Sequence, residues 1–172
     1  MQETQTKNYY WRIPVEFFVP GVPKPGGSKR AFVNPKTGQA IITDACKKNK
    51  QWRDSVAAAA IEAYQGQPLI GLVGFQMDFY FARPRGHFGT GKNAAKLKSS
   101  APPAPPVKPD LTKVIRSTED ALTRILWRDD SQVIAQWNSK SYVGLANLDH
   151  LALPSVIPGV RVTLMELVRR SA

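Results

Sequence analysis

The sequence predicts a small α/β (α+β) protein folded as a single domain, residues 1-172, and three observations carry that expectation. A chain of 172 residues suffices for one hydrophobic core and is short for two. Several segments alternate apolar and polar residues with β-branched and aromatic side chains, the pattern of half-buried strands. Two others repeat apolar residues at the i, i+3, i+4, i+7 spacing of a helix face.

WRIPVEFFVP alternates at Val15, Phe17 and Val19 and runs into Pro-Gly-Val-Pro, so it reads as a first strand ending in a turn. KPGGSKRAFVNPKTGQAIIT then supplies glycines and the cations Lys24, Lys29, Arg30 and Lys36 before a short strand near Gln39 to Thr43, the pattern of an exposed basic hairpin. A helix is expected from about Asp44 to Tyr64, capped by Thr43 or Asp44, with Trp52, Val56, Ala59, Ala60 and Ala63 toward the core. Its first turns carry Lys47, Lys48, Lys50 and Arg53, cations at the positive end of the helix dipole, which reads as a solvated end or as an end stabilised by an external anion.

Val73, Phe75, Met77, Phe79 and Phe81 alternate through a second long strand. Residues 85-109 follow, rich in Gly, Ser, Pro and Lys and without an acid, a composition expected to form a mobile basic loop. His87 and Phe88 in it are candidates for phosphate contact and base stacking, or ordinary loop residues. After Pro109 a helix opens at Asp110, with Leu111, Val114, Ile115, Thr118, Ala121, Leu122, Ile125 and Leu126 on its buried face. Strands from about Gln132 and through PGVRVTLMELV complete the reading, and Trp52 and Trp127 are expected in the core rather than stacked on bases.

The chain carries 24 Lys+Arg against 13 Asp+Glu, a formal net charge of +11 that favours a polyanionic partner. One cysteine, Cys46, excludes an intramolecular disulfide and, without a His/Cys cluster, a structural zinc site. The N-terminus has no apolar run after a basic one, and no stretch approaches a membrane span, so a cytoplasmic location is expected.

The acids are unevenly placed. Five of the 13 lie between residues 110 and 130, at Asp110, Glu119, Asp120, Asp129 and Asp130, so an acidic island sits in a positive body. A polyanion is drawn to the body and a divalent cation to the island, the division of labour needed for metal-dependent cutting of nucleic acid. Magnesium or manganese takes hard oxygen ligands, typically two or three carboxylates from different elements. Asp110 also suits a helix N-cap, and Asp129 and Asp130 suit a turn. A helix between them separates Asp110 from the acidic pair by tens of ångströms, so they meet only if the next strand turns back or a second subunit brings its own copy.

KPDLTKVIRSTEDALTRILWRDDSQV resembles the RusA family of Holliday-junction resolvases, which carry a Pro-Asp-x-Asp-Asn helix start, a following Lys or Arg, an Asp-Ala-Leu run and a Trp-x-Asp-Asp before a strand. FFVPGVPKPGGSKR resembles that family's first strand and basic turn, and NSKSYV its later strand with a lysine near the end. The resemblance covers about residues 13 to 168. It implies a mixed β-sheet packed by two main helices, a homodimer, four-way DNA junctions as substrate, and Mg2+ or Mn2+ as cofactor. It also points to a phage or prophage setting in a bacterial host.

Carried over by position, the resemblance assigns metal binding to Asp110, Asp130 and Asp129, and charge stabilisation on the phosphate to Arg116 or Lys113. DNA binding falls to Lys24, Lys29, Arg30, Lys92, Lys96, Lys98, Lys113 and Lys140. The family's second aspartate is replaced here by Thr112, and the following Asn by Lys113, which removes an expected ligand. Thr112, Arg116, Glu119 and Thr123 share one helical strip, so Glu119 is either a compensating ligand or base, or a surface carboxylate paired with Arg116 or Thr123. The function implied is paired, symmetrical cleavage of four-way junctions. The alternatives are a branched-DNA-binding protein that cuts poorly because of Thr112, and a less selective flap or fork nuclease.

Overall fold

The computed structural model describes residues 8–26, 29–44, 48–144 and 157–170. Cys46 and Lys47 fall outside these residues, as do the side chains of Lys29 and Arg30. The strands are β1 (Tyr9–Pro20), β2 (Lys29–Val33), β3 (Ala40–Asp44), β4 (Val73–Phe81), β5 (Val133–Tyr142) and β6 (Gly159–Arg169). The helices are α1 (Asn49–Ala63) and α2 (Leu111–Leu122).

The main sheet has the order β1-β6-β4-β5. β6 runs antiparallel to both β1 and β4, whereas β4 and β5 are parallel, so the sheet is mixed. A parallel neighbour requires a crossover, and α2 lies in the connection from β4 to β5. Val15 and Val19 from β1, Val73 to Phe81 on alternate positions of β4, and Val160, Val162 and Leu164 from β6 turn one face of the sheet toward the core. Val56 and Ala60 of α1 and Val114 and Leu122 of α2 cover it. Each such side chain stabilises the fold by roughly 1.5–3 kcal/mol for the larger apolar residues. The architecture is thus a small α+β domain with a mixed sheet and two main helices.

Both tryptophans read as core are core. Trp127 is fully buried and stacks on Phe75 with ring centroids 5.8 Å apart. Trp52 is buried and its indole Nε1 donates to Thr118 Oγ1 at 3.2 Å, which pins α1 to α2. No described helix is long and apolar enough to cross a membrane.

Two boundaries differ from the sequence expectation. α1 begins at Asn49 rather than near Asp44, with Lys48 as N-cap and no side-chain capping bond. The backbones of Thr43 and Asp44 lie in the β2–β3 ladder, opposite Arg30 and Lys29, ahead of the N-cap position at Lys48. α2 ends at Leu122, short of the apolar pattern, because Arg124 adopts a left-handed φ of 72° and turns the chain so that Leu126 and Trp127 enter the core from a non-helical segment.

Residues 85-109 contain two short 3₁₀ turns, Arg85–His87 and Gly91–Asn93, and main-chain bonds such as Gly89 N to Lys96 O and Lys98 N to His87 O, both 2.9 Å. The composition lacks core-forming residues, and these bonds together with cation-to-carbonyl ties give the loop its shape.

Candidate functional site

The direction of the crossover decides how the acidic residues are arranged. Because β5 runs parallel to β4, the helix joining them returns antiparallel to both. Its N-terminus therefore lies at the C-terminal ends of these strands and its C-terminus at the start of β5. Three contacts trace this alignment. Lys140, near the end of β5, donates to Pro109 O at 3.2 Å; Gln136 Nε2 reaches Glu119 Oε1 at 3.4 Å; and Thr123 Oγ1 lies 2.5 Å from Asp130 Oδ1. Twelve residues of α2 at ~1.5 Å rise separate Asp110 from the Asp130 end by about 18 Å. β5 does turn back along α2, but Asp130 lies before that strand, so within one chain Asp110 and Asp130 stay at opposite ends of the helix.

At the N-terminal end, Asp110 is the N-cap of α2 by backbone geometry, yet its side chain makes no capping bond. Instead Lys113 Nζ sits 3.3 Å from Asp110 Oδ2, with both side chains about half exposed, 47% and 49%. The carboxylate is thus held beside a cation and left open to solvent rather than consumed by the helix. Thr112 and Arg116 are exposed on the same stretch. The turn after β1 lies flush against α2: Gly26 N donates to Lys113 O at 2.9 Å, and a Cβ on Gly26 would come within 3.1 Å of Ser117 Cβ. The approach is tighter than a Cβ usually makes, so a side chain at position 26 would push on α2. It brings Lys24 into a pocket of about 240 Å³ shared with Lys48, Gln51, Trp52 and Ser55.

At the C-terminal end the acids crowd together. The Thr123 hydroxyl lies within reach of both Asp130 Oδ1 and, at 3.0 Å, the Glu119 carbonyl, and its single proton serves one of them at a time. Glu119 is half-buried between α2 and β5. Burial pushes its carboxyl above the usual range, the charges of Asp130 and Asp120 add to this, and Arg116 opposes it. Asp120 is exposed and borders a groove with Asn49, Lys50, Arg53 and Asp54, where Arg53 reaches the Asp120 carbonyl at 3.4 Å.

Asp129 caps the 3₁₀ turn Asp130–Gln132. Its Oδ1 accepts from Ser131 N at 2.9 Å, and Gln132 Oε1 accepts from Asp129 N at 2.8 Å; hydrogen bonding from the Ser131 side chain first, and from its backbone second, holds the Asp129 carboxyl below its ordinary value. Gln132 Nε2 also donates to Leu69 O and Gly71 O at 3.0 and 2.7 Å, so the turn is bolted to the segment before β4. This framework aims Asp130. The Asp-x-x-Gln spacing was its sequence signal; Gln136, by contrast, had none.

The remaining candidates are scattered. Lys92, Lys96 and Lys98 are exposed on the loop, where Lys98 Nζ also donates to Gly86 O at 2.8 Å. Lys140 bonds Val107 O and Pro109 O. His87 stands edge-on to Tyr142 with ring centroids 5.5 Å apart, and Phe88 is half-buried and bridges to Leu97.

Comparison with known proteins resolves the assignment. The family model of endodeoxyribonuclease RusA matches residues 20–148, three quarters of the chain. The chain belongs to the RusA family. The match spans both ends of α2, the basic turn after β1 and the loop at 85-109. The chain is also similar to "Uncharacterized protein YqaN" of Bacillus subtilis (strain 168), 28% identical over 131 residues that cover 74% of this chain and 87% of the relative. RusA-family membership supports, at the level of the family, endonuclease action on Holliday junctions with a divalent metal.

Whether one chain fits such a metal is a question of donors. Asp130 and Glu119 are hard oxygen ligands of the right class for magnesium or manganese. Among the described residues, however, no group of three or more His, Cys, Asp or Glu side chains converges to hold an ion. With Asp110 at the far end of α2 and Thr112 in place of a carboxylate, the described residues of a single protomer do not make a complete set.

Proposed function

We propose that this RusA-family protein is a metal-dependent endodeoxyribonuclease that resolves four-way DNA junctions as a homodimer, with each site assembled across the two-fold axis. The observation that carries the reading is the separation of Asp110 from Asp130 along α2. In an isologous dimer, antiparallel association of α2 strips brings the N-terminal end of one helix to the C-terminal end of the other. The strip Thr112, Arg116, Glu119 and Thr123, exposed at its first two residues and half-buried at its last two, is self-complementary in that sense. Thr112 opposes Thr123 of the partner subunit, and Arg116 opposes Glu119 of the partner subunit.

Each site then contains Asp130, Glu119 and, from the other chain, Asp110. Glu119 supplies, from a different position, a carboxylate that compensates for the family aspartate replaced by Thr112. These three residues would hold the ion, with Asp129 fixing the turn that aims Asp130. A divalent cation bound there supplies positive charge to the scissile phosphate and activates water for attack. Arg116 and Lys113 offset the charge that grows on the phosphate, and Lys113 meanwhile keeps Asp110 oriented. Lys24, Lys29, Arg30, Lys92, Lys96 and Lys98 bind the backbone of the junction arms, so affinity falls steeply with salt.

The test is incubation of a synthetic four-way junction with Mg2+ or Mn2+. Paired symmetrical nicks are expected. A shift of the junction in a gel without nicks, with cutting gained on Thr112→Asp, would instead make this chain a junction-binding protein. Equal cutting of flaps and forks would make it a less selective nuclease.

A further inference from the structure

Residues 102–109 read PPAPPVKP, five prolines in eight positions. Proline has no backbone N–H, so this strap cannot fix itself by a main-chain ladder, and its carbonyls remain acceptors in need of donors. Two cations supply them. Arg83, just beyond β4, donates from Nη1 to Pro102 O at 2.9 Å and lies within 3.4 Å of Pro103 O through Nη2. Its guanidinium stacks 4.0 Å above the ring of Tyr142, the buried last residue of β5. Lys140, two residues earlier on the same strand, donates from Nζ to Val107 O at 3.0 Å and to Pro109 O at 3.2 Å. Both clamps are rooted at the C-terminal ends of the parallel β4–β5 pair.

Pro109 directly precedes Asp110, whose side chain makes no capping bond of its own. Among the described residues, the helix end holds this carboxylate only through its exposed pair with Lys113, at 3.3 Å. We infer that Lys140, with Arg83 as its counterpart at the far end of the strap, is a positioning residue that fixes Asp110 and joins the basic loop to the cutting site, rather than a phosphate contact. This rests on Asp110 being a carboxylate of the site. Two of the three Nζ donors of Lys140 are directed at protein carbonyls, and hydrogen bonds from a charged donor are the strong kind. A lysine so engaged has little left for DNA. The loop's exposed cations Lys92 and Lys96 remain free of this duty, so loop and strap divide between binding and positioning.

Full-length Lys140→Met and Lys140→Arg proteins test the inference by three measurements. These are junction affinity and its salt slope without divalent metal, single-turnover cleavage at saturating junction with Mg2+, and amide hydrogen exchange at residues 111–114. For Lys140→Met, cleavage at saturation is expected to fall about tenfold or more through misplacement of Asp110. Exchange at 111–114 should accelerate about tenfold as the helix start loosens. Affinity should stay within about twofold, the salt slope should be unchanged, and Lys140→Arg should recover a large part of both losses.

A salt slope reduced by about one, with weaker binding and normal cleavage at saturation, would overturn the inference in favour of a phosphate contact. Unchanged exchange at 111–114 would overturn it as well. If the wild-type protein cuts no junction, the exchange measurement still decides the clamp, and the loss then belongs to the proposed activity alone. Should Lys140→Met not fold, Arg83→Lys, which keeps the charge and loses the fork and the stacking, is expected to lower cleavage and protection in the same direction, and no change in either would sink the inference.

Discussion

The N-terminal end of α2 is built from cations and carbonyls, whereas its C-terminal end is built from acids and the amides and hydroxyls that restrain them. Asp110 stands among Lys113, Lys140 and a proline strap, with the positive end of the helix dipole behind it. Asp130 stands beside Glu119 and Thr123 at the negative end, and Asp120 adds its charge next to Glu119. The first environment holds one carboxylate and welcomes a phosphate; the second concentrates negative charge that only a cation relieves. In the proposed reading neither end alone would suffice for metal-assisted phosphodiester cleavage, and each has what the other lacks. That complementarity is the physical argument for a site shared between two copies.

The contrast can be sharpened from the acidic end first. Thr123→Val removes the hydroxyl that aims Asp130, and single-turnover cleavage of a four-way junction should fall about tenfold while stability drops by only about 1 kcal/mol in urea unfolding. Equal cleavage by the variant would mean that Asp130 needs no such restraint.

Glu119→Gln tests the crowding. The Glu119 carboxyl is raised in the folded protein above its ordinary 4.5, so the native state binds a proton more readily than the unfolded chain. The folded protein is therefore destabilised above the raised value, and this penalty is relieved as pH falls toward 4.5. Because the group is half exposed, solvent screens much of the effect, and a gain of about 1–2 °C in Tm at neutral pH is expected, shrinking as the solution is acidified. A variant that melts below the wild type at neutral pH would show that Glu119 is a stabilising partner rather than a strained one. At the basic end the effect on stability is smallest. Lys113→Ala breaks an exposed pair and should change unfolding free energy by no more than about 0.5 kcal/mol.

Much of this was legible in the residues. The alternation through Val73 to Phe81 and the periodicity of α2 identified the sheet face and the helix that covers it, and the Pro-Asp and Trp-x-Asp-Asp elements mark the segments that flank α2. The start of α1 was not, because Thr43 and Asp44 have capping side chains whose backbones the hairpin claims through long-range pairing. The ordering of the proline strap was hidden for a similar reason: its partners, Arg83 and Lys140, are cations whose solvated and clamped states look alike in composition. Lys140 reads as a DNA contact in the sequence, yet the structure turns its ammonium onto Val107 and Pro109. Periodicity also does not reveal whether β5 runs parallel or antiparallel to β4, and that direction decides that Asp110 and Asp130 lie apart within a chain.

The shared-site account is tested most directly by subunit mixing. Asp110→Asn and Asp130→Asn proteins should each lose junction cleavage while retaining affinity, because each substitution spoils both sites of its own homodimer. After subunits of the two are exchanged, the account predicts that nicking returns to about a quarter of the wild-type site activity, since roughly half of the dimers are mixed and each of those carries one intact Asp110–Asp130 pair across the axis. If the mixture stays as inactive as its parents although mixed dimers have formed, each chain must build its own site and the account fails.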